Sequence, residues 1–477
     1  MDFISLKFVA LVIASVIIFY LLNQKLRIGY LAILSCGFIS TFSYNLLFYV
    51  LIYSLINYFI GLKIQNSNHK ILLYRTGILI NISQLVFLKY ASFAIDPFFR
   101  LFESKIFVSH LSEIIIPIGI SYFTLQGIGY LINIKMGWEK PEKKFLHFLL
   151  YITYFPKFLS GPVERSNHFL PQLSLKQEFN EKQVSDGLRI ALIGFFKKVA
   201  IANQLAPYII SAYADIHTAE PYSLLILFLI VPLYLYFDFS GYTDIAIGFS
   251  KLFGFDLLPN FNRPFLAENV STFWKRFHMS LSLWFNDYIF RQTSFKRRKW
   301  GVWASVYAVF LTFILFGIWH GAGWNFMVLG LLQALAINYE FFTKKWRTRL
   351  YAKAPDFVRI WFGRIITYLF YCGSLVFFFS QDLKSAFIYF SKLTEISGPV
   401  PLDGLSTKPF EVLIYIPIFL FIELLQNDFT TTYNKLESFW FSEKPKNRIL
   451  RWAIYSTLIT IIFVVGLKAQ QFIYANF

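Results

Sequence analysis

Of the seven histidines in the chain, two stand where a proton acceptor would be both useful and costly. His320 closes a nearly pure apolar run, Val306 to Trp319, and is followed by Gly321-Ala322-Gly323 and a second apolar run from Trp324 to Tyr339. Basic clusters precede the first run, at 296–299, and follow the second, at 344–349. That pattern predicts a helical hairpin with both ends on the cytoplasmic side and His320 near its tip. A helix rises about 1.5 Å per residue, so the roughly 20 residues from Lys299 to His320 span most of a bilayer. An ionisable side chain at that depth is costly unless it faces the protein interior, and it is a functional-site hypothesis by default. Imidazole titrates near neutrality and can take a proton from a hydroxyl attacking an acyl group. The plain alternative is a hydrogen-bonded histidine between helices.

His278 lies in Phe273-Trp274-Lys275-Arg276-Phe277-His278-Met279-Ser280-Leu281-Ser282-Leu283-Trp284-Phe285, where aromatics alternate with basic and hydroxyl residues. Such a segment suits an amphipathic helix at an interface or beside an internal site. Its histidine is either part of that site or incidental to a surface helix. Asp238 and Asp244, in Phe237-Asp238-Phe239-Ser240-Gly241-Tyr242-Thr243-Asp244, could form a proton or ion path, as in a transporter, or cap broken helices. His69, His110, His147, His168 and His217 sit in loop-like or span-edge contexts and suggest no chemistry. A metal held by His278 and His320 lacks HExxH-type spacing and an obvious carboxylate partner, so no metal site is expected. No Gly-x-Ser-x-Gly elbow is present, which argues against a serine hydrolase.

The elements that must position these groups are membrane helices. Of the 477 residues, 56% are apolar and 15% charged, against roughly 25% charged in a soluble protein, and the mean hydropathy is +0.53. Hydropathy predicts spans at 3–22, 28–45, 46–63, 71–94, 112–133, 186–211, 222–240, 302–319, 324–343, 358–380, 410–426 and 449–473. The first reads as a retained span, since it lacks a basic leader and a small-residue cleavage site. Three other apolar segments, 145–158, 237–255 and 270–290, are too short or too broken by polar residues and glycine. Irregular backbone survives at membrane depth only when buried in protein or lining a watery cavity, so these are expected to be re-entrant or interfacial pieces. One integral membrane domain over 1–477 is expected, with no separate soluble module.

The net charge of +18 is gathered in clusters beside apolar blocks. That is the positive-inside pattern, and nucleic acid is not expected as a partner. The two cysteines, Cys36 and Cys372, both lie in apolar blocks, which excludes a disulfide scaffold and a cysteine-based zinc site. The 58 Phe, 29 Tyr and 11 Trp are mostly lipid-facing bulk and interfacial belt.

Five ordered segments carry a family resemblance. They are Pro117-Ile118-Gly119-Ile120-Ser121-Tyr122-Phe123, then Phe155-Pro156-Lys157-Phe158-Leu159-Ser160-Gly161-Pro162-Val163-Glu164-Arg165 with Phe169-Leu170-Pro171-Gln172-Leu173. Tyr236 to Gly248 follows, then Asn260-Phe261-Asn262-Arg263-Pro264-Phe265 leading into Trp274 to Trp284, and last Trp319-His320-Gly321. Gly194-Phe195-Phe196-Lys197-Lys198-Val199 is also similar. Together they resemble the membrane-bound O-acyltransferases, and within them the alginate O-acetyltransferase type, with the core motifs between 115 and 345. The stretch Phe290 to Lys299 is closer to the D-alanyl transfer proteins of teichoic acid modification, and Gln333 stands where the alginate type commonly has a second histidine.

The resemblance implies an all-α polytopic membrane protein of about 11–13 helices around a central tunnel, with re-entrant segments. It implies His320 as the catalytic histidine and His278 as the second important one. Trp319, Trp274 and Asn325 are expected to shape the substrate pocket, with Asp238 and Asp244 holding broken helices beside it. The expected activity is O-acyl transfer, most simply O-acetyl, towards a cell-surface polysaccharide hydroxyl. The donor is expected to be acetyl-CoA or another acyl thioester, with no bound cofactor. Expected partners are membrane lipid, an extracytoplasmic acetyltransferase and the polysaccharide, at a bacterial inner membrane. The alternatives are D-alanyl transfer to a teichoic-acid-like polymer, and transport without acyl chemistry.

Overall fold

The computed structural model describes residues 4–101, 119–159, 161–396, 413–442 and 444–466, and of 90–101 the backbone only. Every regular element among them is helical. In chain order they are α1 (Leu6–Leu21), α2 (Gln24–Ser40), α3 (Tyr44–Asn66), α4 (Lys70–Leu101), α5 (Ile120–Met136), α6 (Phe145–Thr153), α7 (Ser166–Leu173), α8 (Glu181–Phe195), α9 (Asn203–Ala214) and α10 (Pro221–Leu252). The second half holds α11 (Val270–Trp274), α12 (Met279–Phe285), α13 (Arg291–Lys296), α14 (Val302–His320), α15 (Trp324–Tyr351), α16 (Asp356–Phe379), α17 (Leu383–Thr394), α18 (Tyr415–Asp428), α19 (Thr430–Trp440) and α20 (Pro445–Val465).

Seven described helices are long and apolar enough to cross a membrane: α3, the stretch Lys70–Lys89 of α4, α10, α14, α15, α16 and α20. The predicted spans near 3–22, 28–45 and 112–133 overlap helices of 16, 17 and 17 residues. The parts of the predicted spans at residue 3 and over 112–118, 410–412 and 467–473 lie outside the described residues, as do Pro117, Ile118, Ser160 and His110. Burial sorts the long helices. The span of α10 has 67% of its residues buried, whereas the α4 and α20 spans have 11% each. α10 is therefore the central post, and α4 and α20 present apolar side chains such as Leu72, Leu79, Trp452 and Phe463 outward, as a lipid-facing wall requires.

Two glycine contacts let helices approach at backbone distance. A Cβ on Gly317 would sit 2.2 Å from the Phe326 carbonyl oxygen, and one on Gly330 would sit 2.2 Å from that of Phe313, so α14 and α15 close as a tight hairpin. Gly194 and Gly241 do the same for α8 and α10.

The irregular segments follow local rules. α6 has nine residues and gives way to non-helical chain over 154–159 and 161–165, as its length foretold. α11 starts because Asn269 accepts the Thr272 N–H at 2.8 Å, while the Glu340 carboxylate of α15 accepts the Val270 and Ser271 N–H groups at 2.5 and 3.0 Å. That pairing ties the start of the His278 segment to the hairpin that carries His320.

The expectation for 237–255 is corrected. Asp238, Gly241, Asp244 and Gly248 do not break the chain into a re-entrant piece; they lie within α10, one helix of 32 residues. The glycines admit α8, and both carboxylates are paired by lysines across that contact. The predicted span over 186–211 is in turn interrupted by a π-helical stretch, Phe196–Ala202. This stretch carries both lysines, Lys197 and Lys198, that meet α10.

Candidate active site

His320 is the last residue of α14, because Gly321 turns extended (φ −170°) and ends the helix. Its ring is buried against Phe316, Trp319 and Phe378, with centroid distances of 4.5, 4.8 and 5.3 Å. Trp319 meets Tyr122 of α5 edge-on at 6.0 Å, and Tyr122 also stacks at 6.5 Å from His278. Phe239 of α10 closes on His278 at 4.5 Å. The two histidines singled out in the sequence, 42 positions apart in the numbering, thus share one buried aromatic cluster.

His278 adopts a left-handed backbone conformation (φ 47°, ψ 50°), one of two such non-glycine residues described. A side chain there costs about 1–2 kcal/mol, so the surroundings must hold it. Asn260 does so. Its backbone carbonyl accepts the Met279 N–H at 2.8 Å, and its side-chain Oδ1 accepts the Ser280 N–H at 3.2 Å and the Ser280 hydroxyl at 2.8 Å. A backbone N–H can only donate, so the Asn260 atom facing it is the oxygen. That oxygen also lies 3.1 Å from His278 Nδ1, which must therefore carry a proton. In the neutral ring Nε2 then carries the lone pair, so it can accept a hydrogen bond but cannot polarise a carbonyl by donating to it.

The remaining predicted residues divide. Trp274 packs on Phe316 at 4.9 Å, and its indole N–H donates to Gln333 Oε1 at 3.0 Å; Gln333 in turn donates to Ser374 at 2.9 Å. It braces the His320 helix. Asn325 donates to the carbonyls of Phe377 and Ser380 at 3.0 and 2.9 Å, fastening the start of α15 to the end of α16 beside Phe378. Asp238 is fully buried in an ion pair with Lys198, and Asp244 pairs with Lys197 at 2.7 Å. Both carboxylates are thus engaged within the helix packing, while Phe239 between them touches His278.

Three residues that sequence reasoning passed over belong to the site: Tyr122, Asn260 and Lys89. Lys89 is buried, donates to the Trp319 carbonyl at 2.6 Å and lies 5.6 Å from the Trp319 ring centre. The signal was present, since Lys89 is an ionisable residue inside the predicted span 71–94.

At the end of the molecule rich in basic residues, Glu139 accepts from the Ser166 hydroxyl at 2.6 Å. Burial pushes its carboxyl up to about 7, against the hydrogen bonds from Ser166 and Asn133 that pull it down. A groove of about 580 Å³ near that end is lined by Met136, Phe290, Arg291, Gln292, Phe295 and Arg298 among others. A larger cavity of about 1160 Å³ opens between α15 and α16, with Lys344, Arg347 and Arg359 among its lining. Neither is lined by His278 or His320.

Residues 142–381 match the profile of the membrane-bound O-acyltransferase family. The peptidoglycan O-acetyltransferase of Helicobacter pylori is 33% identical over 384 residues, covering 73% of this chain and 69% of that protein. A protein of Azotobacter vinelandii named "Probable alginate O-acetylase AlgI" is 33% identical over 57% of this chain and 55% of its own length. The teichoic acid D-alanyltransferase of Bacillus subtilis is 33% identical over 52% of this chain and 67% of its own length. The chain belongs to the membrane-bound O-acyltransferase family: it is an all-α, multi-pass membrane acyltransferase.

Proposed function

Within that family, we propose that this chain moves an acetyl group from a cytoplasmic thioester such as acetyl-CoA to a hydroxyl of a cell-surface polysaccharide, directly or through an extracytoplasmic partner, at a bacterial inner membrane. The observation that carries the proposal is the meeting of His278, Tyr122, Trp319 and His320 in one buried cluster. The O-acetyltransferase names of two relatives support the choice of acetyl.

The proposed chemistry assigns each group a task. His320 removes the proton from the attacking hydroxyl as its oxygen bonds to the thioester carbonyl carbon. The tetrahedral intermediate collapses with cleavage of the carbon–sulfur bond, and the leaving thiolate takes the proton from the His320 imidazolium. His278, whose Nδ1–H is committed to Asn260, offers its Nε2 lone pair to a neighbouring hydroxyl of the acceptor and so orients it. The Trp319 indole N–H is buried and has no hydrogen-bond partner among the described residues. It is therefore a donor suited to the developing oxyanion. Arg291 and Arg298, on the 580 Å³ groove, supply positive charge for the anionic body of the donor.

The test uses purified protein in nanodiscs with acetyl-labelled acetyl-CoA and a polysaccharide acceptor. Wild-type protein is expected to pass label to glycan or partner, and His320→Ala to abolish it. Full transfer by His320→Ala would sink the base assignment. Flux of substrate with no loss of the acyl group would support a carrier instead. D-alanyl transfer is the second reading, favoured by the similarity to a teichoic acid D-alanyltransferase; it predicts D-alanine, not acetate, released from the polymer by mild base.

A further inference from the structure

We propose that Lys89 is a positioning residue for acyl transfer: its hydrogen bond to the Trp319 carbonyl holds the Trp319–His320 turn in place. This rests on the assignment of His320 as the base. A lysine in a membrane span is costly and persists only where something inside the protein uses it. α4 is oriented by polar contacts on its inner side. Asn81 accepts from Tyr53 at 2.6 Å and donates to Asn57 at 2.8 Å, and Gln84 donates to Thr124 of α5 at 3.0 Å. These contacts fix the rotation of the helix, and one turn further on Lys89 is buried against α14 and α5.

The partners of Lys89 are neutral. Its Nζ donates to the Trp319 carbonyl at 2.6 Å, reaches Ser121 Oγ at 3.4 Å and lies 5.6 Å from the Trp319 ring centre. Among the described residues it has no carboxylate within ion-pair distance. Lys197 and Lys198, by contrast, are each cancelled by an aspartate. The Nζ of Lys89 thus serves the end of α14 as a hydrogen-bond donor. The last carbonyls of a helix have no partner within it, and the negative end of its dipole favours a cation. Because α14 stops at His320, the Trp319 carbonyl is one of those orphans, and the ammonium satisfies it. A hydrogen bond on the residue before the catalytic ring fixes the direction in which that ring leaves the helix.

A positioning role of this kind predicts a defect in turnover, not in donor binding. Lys89→Met keeps the length and removes the donor and the charge. In the nanodisc assay it is expected to lower kcat by about 30–100-fold, the range for a misplaced or removed catalytic contact, with KM for acetyl-CoA within about twofold. Lys89→Arg, which keeps charge and donors, should recover kcat to within about fivefold of wild type. Lys89→Gln keeps a donor without charge and should fall between the two; it carries the test should the methionine variant not fold. Wild-type kcat in Lys89→Met, a loss expressed wholly in KM, or no rescue by arginine would each overturn the proposal. A His320→Ala variant with full activity would instead overturn the base assignment on which it rests.

Discussion

Replacing Asn260 by leucine removes the group that holds His278 in its unusual conformation. Two donors would lose their acceptor: the Ser280 N–H and the His278 Nδ1–H. A buried donor left without a partner costs about 1–3 kcal/mol, so the substitution should cost about 2–6 kcal/mol of stability. The left-handed backbone at His278 would also lose its brace. With the ring free to change tautomer and shift by about an ångström, kcat should fall on the order of 100-fold. Asn260→Asp keeps an oxygen acceptor at the same place, loses the weak donation to Thr243 at 3.3 Å and sets a carboxyl against the His278 Nδ1–H, which can compensate its charge. It should stay within about tenfold of wild-type kcat. The assay is label transfer in nanodiscs, read beside thermal melting so that folding and turnover are separated. A folded Asn260→Leu protein with kcat within about twofold of wild type would refute the account of His278.

Lys198→Met should destabilise the protein by about 3–5 kcal/mol, because it leaves Asp238 charged and buried; adding Asp238→Leu should restore most of the loss, and thermal melts of the single and double variants decide it. Glu139 binds its proton more tightly in the folded protein, near pH 7, than in the unfolded chain, near 4.5. Its stabilising contribution is therefore complete below about 4.5 and is lost as pH rises through about 7. Between pH of about 5 and about 8, wild-type protein should lose melting temperature relative to Glu139→Gln, and parallel curves for the two would contradict the burial of that carboxyl.

Much of the architecture was legible because lipid imposes it. A helix that satisfies its own backbone and shows apolar side chains outward leaves a long hydropathic block, and Val302–His320 and Trp324–Tyr351 were visible as such. The hairpin tip at His320 followed from the basic clusters at either end. What escaped depends on pairing across the chain. In α10, Asp238, Gly241, Asp244 and Gly248 carry the local marks of a broken helix. The helix is continuous because Lys197 and Lys198, some 40 residues earlier, neutralise the acids and Gly194 packs against Gly241. No local rule announces the π-helical stretch that presents those lysines. The tautomer of His278 was likewise invisible, since it depends on Asn260, 18 residues away, and on a backbone N–H. Lys89 was a different kind of omission. Its position in an apolar span marked it, but its use appears only once the Trp319 carbonyl is seen beside it.

The central claim is that His320 takes the proton of the attacking hydroxyl in acetyl transfer to a surface glycan. It is tested most directly by mass analysis of base-labile esters on the surface glycans of three strains: wild type, a strain lacking this chain, and that strain expressing His320→Ala at equal membrane abundance. The account predicts ester-linked acetate in the first and none in the other two. Acetate at the wild-type level in the His320→Ala strain would contradict it.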